Sequence, residues 1–216
     1  MVARCLAADP EASGFHGTGV PEDEGQHLQS VMPAAWRLGG PGRFAWHPDA
    51  HLTEDSPLAR PDACDRLWSA WAPHWDLGMR VLVEKSPPNL LRTRLLQRLF
   101  PGAAFVLVVR HPLAVAHATR RWCPDATRSL LAHWFHAHTL LAADLPHVDR
   151  VAIVRYEDLV ADPAAALAPA AALLGLAAVP HDAVRPERDR PYRALTAGDG
   201  LPAHWHALGA LFGYRL

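Results

Sequence analysis

Three apolar segments separated by helical stretches constrain the fold of this chain most. They are RVLVE at 80–84, AFVLVV at 104–109 and VAIVRY at 151–156, and each contains an unbroken apolar run. Continuous apolar runs are typical of strands that are buried on both faces of a parallel sheet. Helices between such strands act as crossovers. The sequence therefore predicts an α/β fold in which a parallel sheet is flanked by helices.

Helical patterns surround these strands, while an irregular span precedes them. Residues 13–60 are rich in Gly, Pro, Asp and His, and so long an irregular span in a compact domain is usually functional. The chain has 216 residues, so we predict a single domain over 1–216. The predicted helices are 1–8, 25–36, 61–76, 89–100, 112–122, 128–145, 162–174 and 202–212.

Charge and cysteine content narrow the class of protein. With 21 basic and 22 acidic residues the net charge is −1, so neither nucleic acid nor an anionic membrane is a predicted partner. No apolar run reaches the roughly 18 residues that are needed to cross a bilayer. The three cysteines are odd in number and lack CxxC spacing. Such usage favours a reducing compartment, and we predict a cytoplasmic protein.

Two cations follow consecutive predicted strands. Lys85, the only lysine in the chain, follows the first strand, and Arg110 follows the second. Ligands of parallel α/β sheets bind beyond the carboxyl ends of the strands. Lysine offers a compact charge and arginine a planar fork that suits phosphate. The pair predicts an anion site, and the alternative is that each cation pairs with a nearby carboxylate.

Several motifs in order resemble a known family. They are SGFHGTGVPEDEGQHLQ from Ser13, EKSPPNLLRTRLLQRLFPGAAFVLVVRHP from Glu84 and VRYEDLVADP from Val154. Together they resemble the sulfotransferases that use 3′-phosphoadenosine 5′-phosphosulfate (PAPS), and they look closest to bacterial members and the tyrosylprotein sulfotransferase branch. The resemblance implies a P-loop-like three-layer fold. It also implies sulfuryl transfer from PAPS, as co-substrate, to a hydroxyl or amine of a small molecule or peptide, without a metal.

The resemblance also implies residue roles in donor binding. Lys85 matches the lysine that contacts the transferring sulfuryl group and its bridging oxygen, and Ser86 lies beside it in the donor site. Arg110 matches the arginine that binds the 3′-phosphate. The family has a serine eight positions after this arginine, where this chain has Ala118. Thr119 is therefore the candidate hydroxyl, although its direction from a helix differs by about 100°.

The general base is expected within PEDEGQH, which begins at Pro21. Sulfuryl transfer to a hydroxyl needs a proton acceptor opposite the leaving phosphate. Four residues qualify, and Glu24 is favoured because DEGQ best matches family members, with His27 second. The candidates are Glu22, Asp23, Glu24 and His27. The RYED motif at 155–158 is interpreted as a turn with a largely structural role, and the alternative is contact with a ligand.

One family motif has no counterpart in the sequence. The 5′-phosphosulfate loop, of the type Gly-x-x-Arg-Ser-Gly-Thr-Thr, would end just before Met1. The comparison therefore predicts an N-terminally truncated domain that lacks the first strand and the phosphate loop and is inactive in this form. The alternative function is a non-catalytic remnant that binds 3′-phosphoadenosine 5′-phosphate (PAP) or a protein partner. A kinase is a weaker third alternative because GxxxxGK[ST] is absent.

A histidine-rich helix resembles a metal-binding tract. His133 and His136 share a helix face, whereas His138 points elsewhere. Because no acidic or cysteine partner lies nearby at ligand spacing, we predict no metal site. The sequence does not indicate the oligomeric state.

Overall fold

Four short strands form the centre of the computed structural model, which describes residues 1–177, 179–185 and 200–216. Ala12–Gly14 (β1) pairs in parallel with Val81–Val83 (β2), and Phe105–Val109 (β3) pairs in parallel with Val151–Arg155 (β4). The predicted α/β class with parallel strands and flanking helices is confirmed. Within the described residues, however, the strands form two separate two-stranded sheets.

Eight α-helices connect or flank the strands in the described part of the chain. Their bounds are Val2–Ala7 (α1), Pro61–Trp71 (α2), Thr93–Leu99 (α3), Pro112–Thr119 (α4), Thr127–Asp144 (α5), Tyr156–Ala161 (α6), Pro163–Leu174 (α7) and Ala203–Leu211 (α8). The three predicted strands correspond to β2, β3 and β4 and differ from them by at most one residue at each end, whereas β1 was not predicted.

Two predictions of local structure are wrong. The helix expected over 25–36 is replaced by the 3₁₀ turns Gly25–His27 and Ala35–Leu38. The side chain of Gln29 accepts hydrogen bonds from the backbone N–H groups of Val31 and Met32, which gives this segment an alternative to helical hydrogen bonding. The supposed turn at 155–158 is mostly the first turn of α6.

Helices cover both faces of the β3–β4 pair. Val106 packs with α1, α6 and α7 in a cluster that includes Val154, Leu159 and Leu167. The neighbouring residue Leu107 packs on the other side, with α4, α5 and α8. Successive side chains of a strand point to opposite faces, so β3 is sandwiched between two helical layers.

Two side chains of α5 and that of Arg92, just before α3, anchor the irregular span that precedes α2. The backbone N–H of Ala45 donates to Nε2 of His133 at 3.1 Å. Nη2 of Arg92 donates to the carbonyl oxygen of Pro33 at 2.6 Å. His51 and Asp144 are joined at 2.9 Å. This long segment is therefore fixed against the core despite its lack of regular secondary structure.

A groove of about 520 Å³ lies between β2 and β3. Leu82 lines it from β2, and every residue from 103 to 108 lines it on the β3 side. Consecutive lining residues indicate that an edge of β3, and not only one face, borders the groove. No strand within residues 1–177, 179–185 and 200–216 occupies it. Lys85 and Ser86 also line the groove, beyond the carboxyl end of β2.

Candidate active site

Lys85 and Glu24 meet at the carboxyl end of β2. Nζ of Lys85 lies 2.6 Å from Oε1 of Glu24, and it donates a longer bond of 3.4 Å to the carbonyl oxygen of Glu22. The Glu24 side chain is 12% exposed and that of Lys85 41%. Two residues that are 61 positions apart in the sequence thus form an ion pair with one mostly buried partner. The carboxylate that pairs with Lys85 is the one favoured as the general base.

The backbone before Glu24 is strained. Glu22 and Asp23 have φ values of 52° and 49°, in the left-handed region that non-glycine residues rarely occupy. Strain of this kind persists only where the surrounding structure enforces it, and it clusters at functional sites. Here it brings the backbone carbonyl of Glu22 and the side chain of Glu24 to the same ammonium group.

The other candidate bases have different surroundings. The side chain of Glu22 is 71% exposed and faces Arg4 at 4.0 Å. Asp23 accepts hydrogen bonds from the backbone N–H and the hydroxyl of Thr18, and these bonds lower the pKa of its carboxyl group. Nε2 of His27 lies 3.8 Å from Oε2 of Glu24. Among the three acids, the ion pair with Lys85 involves Glu24.

A polar layer lies beneath this pair, and among its members only Ser86 was predicted from the sequence as a site residue. Oγ of Ser86 donates to Oε1 of Glu84 at 2.6 Å and accepts from the backbone N–H of Gln26 at 2.8 Å. Asn89 donates to the other oxygen of Glu84. Burial raises the pKa of Glu84 despite these hydrogen bonds. The only sequence signal is a polar residue at 84, 86 and 89 directly after an apolar run.

Arg110 lies at the carboxyl end of β3 and stacks on an aromatic ring. Its guanidinium carbon is 4.2 Å from the centre of the Tyr156 ring. The adjacent backbone N–H of His111 donates to Glu157 at 2.8 Å, and Glu157 also accepts from the Tyr214 hydroxyl at 2.8 Å. These contacts fix the turn from β3 into α4. They also tie the RYED motif to it.

Lys85 and Arg110 do not follow hydrogen-bonded neighbours. They follow β2 and β3, which belong to separate strand pairs with the groove between them. The prediction of one parallel sheet is therefore not met within the described residues. Thr119 lies in the last turn of α4, and its hydroxyl donates to the carbonyl oxygen of Val115 at 2.8 Å.

Comparison with protein families assigns the chain. A family model described as "Sulfotransferase family" matches residues 2–180, which is more than half of the sequence. The chain belongs to the sulfotransferase family. The matched region contains the candidate site residues Glu24, Lys85, Ser86, Arg110 and Thr119. Comparison with curated proteins gives no match.

Two solved structures share the fold of this sulfotransferase. The sulfotransferase domain from the curacin biosynthetic pathway matches with a TM-score of 0.54 and 17% identity, over 72% of this chain and 68% of its own. The sulfotransferase domain from the Synechococcus PCC 7002 olefin synthase matches with a TM-score of 0.56 and 21% identity, over 93% of this chain and 78% of its own. At these identities the likeness establishes the fold alone.

The histidines of α5 are largely part of the core. His133 accepts from the backbone N–H of Ala45, and His138 stacks on Trp134 with ring centres 3.6 Å apart. Burial lowers the pKa of both histidines to about 4. The described residues contain no group of three side chains suited to hold a metal. They also contain no helix that is both long and apolar enough to span a bilayer.

Proposed function

We propose that this sulfotransferase moves a sulfuryl group from PAPS to a hydroxyl or amine acceptor at the Lys85–Glu24 pair. The observation that carries the proposal is the 2.6 Å contact between the only lysine and Glu24 beyond the carboxyl end of β2. Strand ends of this kind are where α/β proteins bind ligands. In this proposal Lys85 is the cation for the leaving group and Glu24 the base for the acceptor, and their contact supports it.

The proposed chemistry divides between the two side chains. Glu24 removes the acceptor proton while the acceptor oxygen or nitrogen attacks sulfur. The bond between sulfur and the bridging oxygen breaks, and the electron pair leaves with PAP. Lys85 donates a hydrogen bond to that oxygen and offsets its developing negative charge. In the structure the two groups neutralise each other, so donor binding has to draw the ammonium of Lys85 away from Glu24.

The donor's other contacts are assigned by the family resemblance. We propose that Arg110 binds the 3′-phosphate, because a guanidinium fork matches phosphate oxygens. The ring of Tyr156 beneath it supports this role by holding the guanidinium plane. Ser86 is assigned to donor binding because it directly follows Lys85. Thr119 can contribute its hydroxyl only if it releases the carbonyl oxygen of Val115.

We also propose that these residues need a further phosphate cradle for turnover. No described strand runs through a glycine-rich loop directly into an α-helix, the arrangement that binds phosphate through backbone N–H groups. The groove between β2 and β3 has room beside Lys85 for additional chain. The lack of such a strand, loop and helix in the described residues favours a second candidate function, in which the chain binds PAP or a protein partner without catalysis.

The finer assignments of this protein are also proposals. The acceptor is a small molecule or a peptide, and the sequence motifs favour a bacterial protein near the tyrosylprotein sulfotransferase branch. Residues 1–216 act as one domain. A cytoplasmic location is supported by the free thiols of Cys5, Cys64 and Cys123.

Mutant kinetics test the division of roles. A strand and Gly-x-x-Arg-Ser-Gly-Thr-Thr loop is joined ahead of Met1 to supply the cradle, and PAP release from PAPS is followed. Lys85→Ala should lower kcat about a hundredfold or more while PAP affinity changes by less than about threefold, because its charge acts mainly in the transition state. Arg110→Ala should chiefly raise the donor KM.

The control for this experiment is Arg98→Ala, which removes an exposed cation from α3. It should leave both kinetic constants near those of the unaltered protein. Equal losses of PAP affinity in the Lys85 and Arg110 variants would contradict the proposed roles.

A further inference from the structure

Gln26 makes hydrogen bonds at the centre of the site through its backbone N–H, its side-chain oxygen and its side-chain nitrogen. Its side chain is buried, with the residue only 5% exposed. The backbone N–H donates to Oγ of Ser86 at 2.8 Å. The side-chain oxygen accepts from the backbone N–H of Ala35 at 2.8 Å, and the side-chain nitrogen donates to Oε2 of Glu24. One residue thus contacts both the segment that carries Glu24 and the segment that carries Lys85.

The backbone of Gln26 is located by the polar layer under Lys85. Ser86, which accepts its N–H, is itself bound to Glu84. Glu84 also packs directly against Gly25, where an added Cβ would lie 2.5 Å from its Oε1. The residue before Gln26 therefore has no room to shift toward β2. Gln26 is fixed from the β2 side before its side chain reaches Glu24.

The two neighbours of the Gln26 side chain also fix the orientation of its amide. The N–H of Ala35 requires an acceptor, and the carboxylate of Glu24 requires a donor. A flipped amide would place two donors against each other at Ala35 and oxygen against oxygen at Glu24. Leaving such buried groups unsatisfied is unfavourable, so the amide has a single stable orientation.

This arrangement divides the oxygens of Glu24 between two partners. Oε2 is held by Gln26, which leaves Oε1 directed at Lys85. We propose that Gln26 is a positioning residue that presets Glu24 as the base. The inference rests on the proposed function for its catalytic meaning. When the donor draws Lys85 away, Gln26 keeps Glu24 in place with Oε1 open to the acceptor proton.

The single lysine allows a direct test on the chain without turnover. Labelling with ¹⁵N-lysine gives one side-chain ammonium signal, from Lys85, and its proton exchange with water reports how firmly Glu24 holds it. Gln26→Met removes the donor to Glu24. Exchange should become roughly tenfold faster, the factor expected when a hydrogen bond to a charged group is lost. Glu24→Gln sets the upper limit because it removes the charged partner itself.

Gln97→Met is the matched control for this variant. It removes the hydrogen bonds that the Gln97 side chain, on α3, makes with the backbone of His147 and Asp149. Its Lys85 exchange rate should stay near that of the unaltered chain. A Gln26→Met rate that matches the unaltered chain, or an equal acceleration in Gln97→Met, would overturn the inference.

A second measurement applies if Gln26→Met does not fold. In the chain with Glu24→Gln, the side-chain amide signal of Gln26 should shift, and that of Gln97, which bonds to the backbone of His147 and Asp149, should not. An unmoved Gln26 signal would overturn the inference. Neither measurement uses PAPS. Absence of sulfuryl transfer would therefore count against the proposed function only, and these two measurements alone decide whether Gln26 positions Glu24.

Discussion

At the scale of single residues, the ion pair of Lys85 with Glu24 depends on contacts between segments that lie 60 or more positions apart in the sequence. Lys85 follows a recognisable strand, and Glu24 lies in a motif that resembles the family. Their partners depend on contacts such as Gln26 with Ser86, which are 60 positions apart. No local pattern reveals such a contact, because it arises only when β2 packs beside the 3₁₀ turns. The buried role of His133 was equally invisible in its tract.

The buried histidines of α5 make stability depend on pH. His133 and His138 have pKa values of about 4 in the fold and about 6.5 in unfolded chains. Between these values the unfolded chain binds more protons than the folded chain. The contribution of the two histidines to the free energy of unfolding is therefore fully present above pH 6.5 and is lost as the pH drops toward 4. Each histidine contributes up to roughly 3 kcal/mol to this fall.

Denaturant unfolding at several pH values checks this prediction. His133→Gln keeps an acceptor for Ala45 but cannot be protonated, so the loss between pH 6.5 and 4 should shrink. His206→Gln, at an exposed position on α8, serves as the control and should leave the pH dependence unchanged. An equally steep loss in His133→Gln would show that this histidine is not the source.

At the scale of elements, apolar runs and periodicity predicted β2, β3, β4 and the long helix α5, but not β1, whose three residues are too few to show a pattern. The helix α5 lies within one residue of its predicted bounds at each end. Eighteen residues with a buried face give a clear helical period. Prediction failed over 25–36, where Gln29 binds the local backbone, and at Tyr156, where a supposed turn begins a helix. Short polar segments are decided by such side-chain bonds rather than by periodicity.

The 3₁₀ turn at Gly25 should tolerate no side chain. An added Cβ would lie 2.7 Å from Cγ of Glu84, and Glu84 is held by Ser86 and Asn89. Gly25→Ala should therefore lower the free energy of unfolding by roughly 1–3 kcal/mol, the usual cost of overpacking. Urea unfolding measures the change.

Gly78→Ala is the control for this substitution. Gly78 is exposed, and a Cβ there would meet only an oxygen of Asp76 at 3.2 Å. Its effect on stability should be small. Equal effects of the two substitutions would contradict the close approach of Gly25 to Glu84.

At the scale of the whole molecule, the fold class was predictable but the strand arrangement was not. Continuous apolar runs predicted buried parallel strands, and both strand pairs are parallel. The apolar runs do not reveal that a groove separates β2 from β3. Strand pairing depends on contacts between distant parts of the chain, and a local pattern does not encode these contacts. The groove brings apolar strand residues such as Val106 and the charged end of β2 to one opening. The candidate site therefore includes the open groove as well as the Lys85–Glu24 pair.

Acceptor-dependent PAP release from PAPS tests sulfuryl transfer at the Lys85–Glu24 pair most directly. It is measured with the 216-residue chain and with the chain that carries the joined strand and phosphate loop, against phenols, sugars and tyrosine peptides. We expect release by the joined chain, its loss in Glu24→Gln, and little or none from the 216 residues alone, since removing one preorganised donor already costs roughly 3–4 kcal/mol of transition-state stabilisation. Release at equal rates by both chains would contradict the need for a cradle. Unchanged release in Glu24→Gln would contradict the Lys85–Glu24 site.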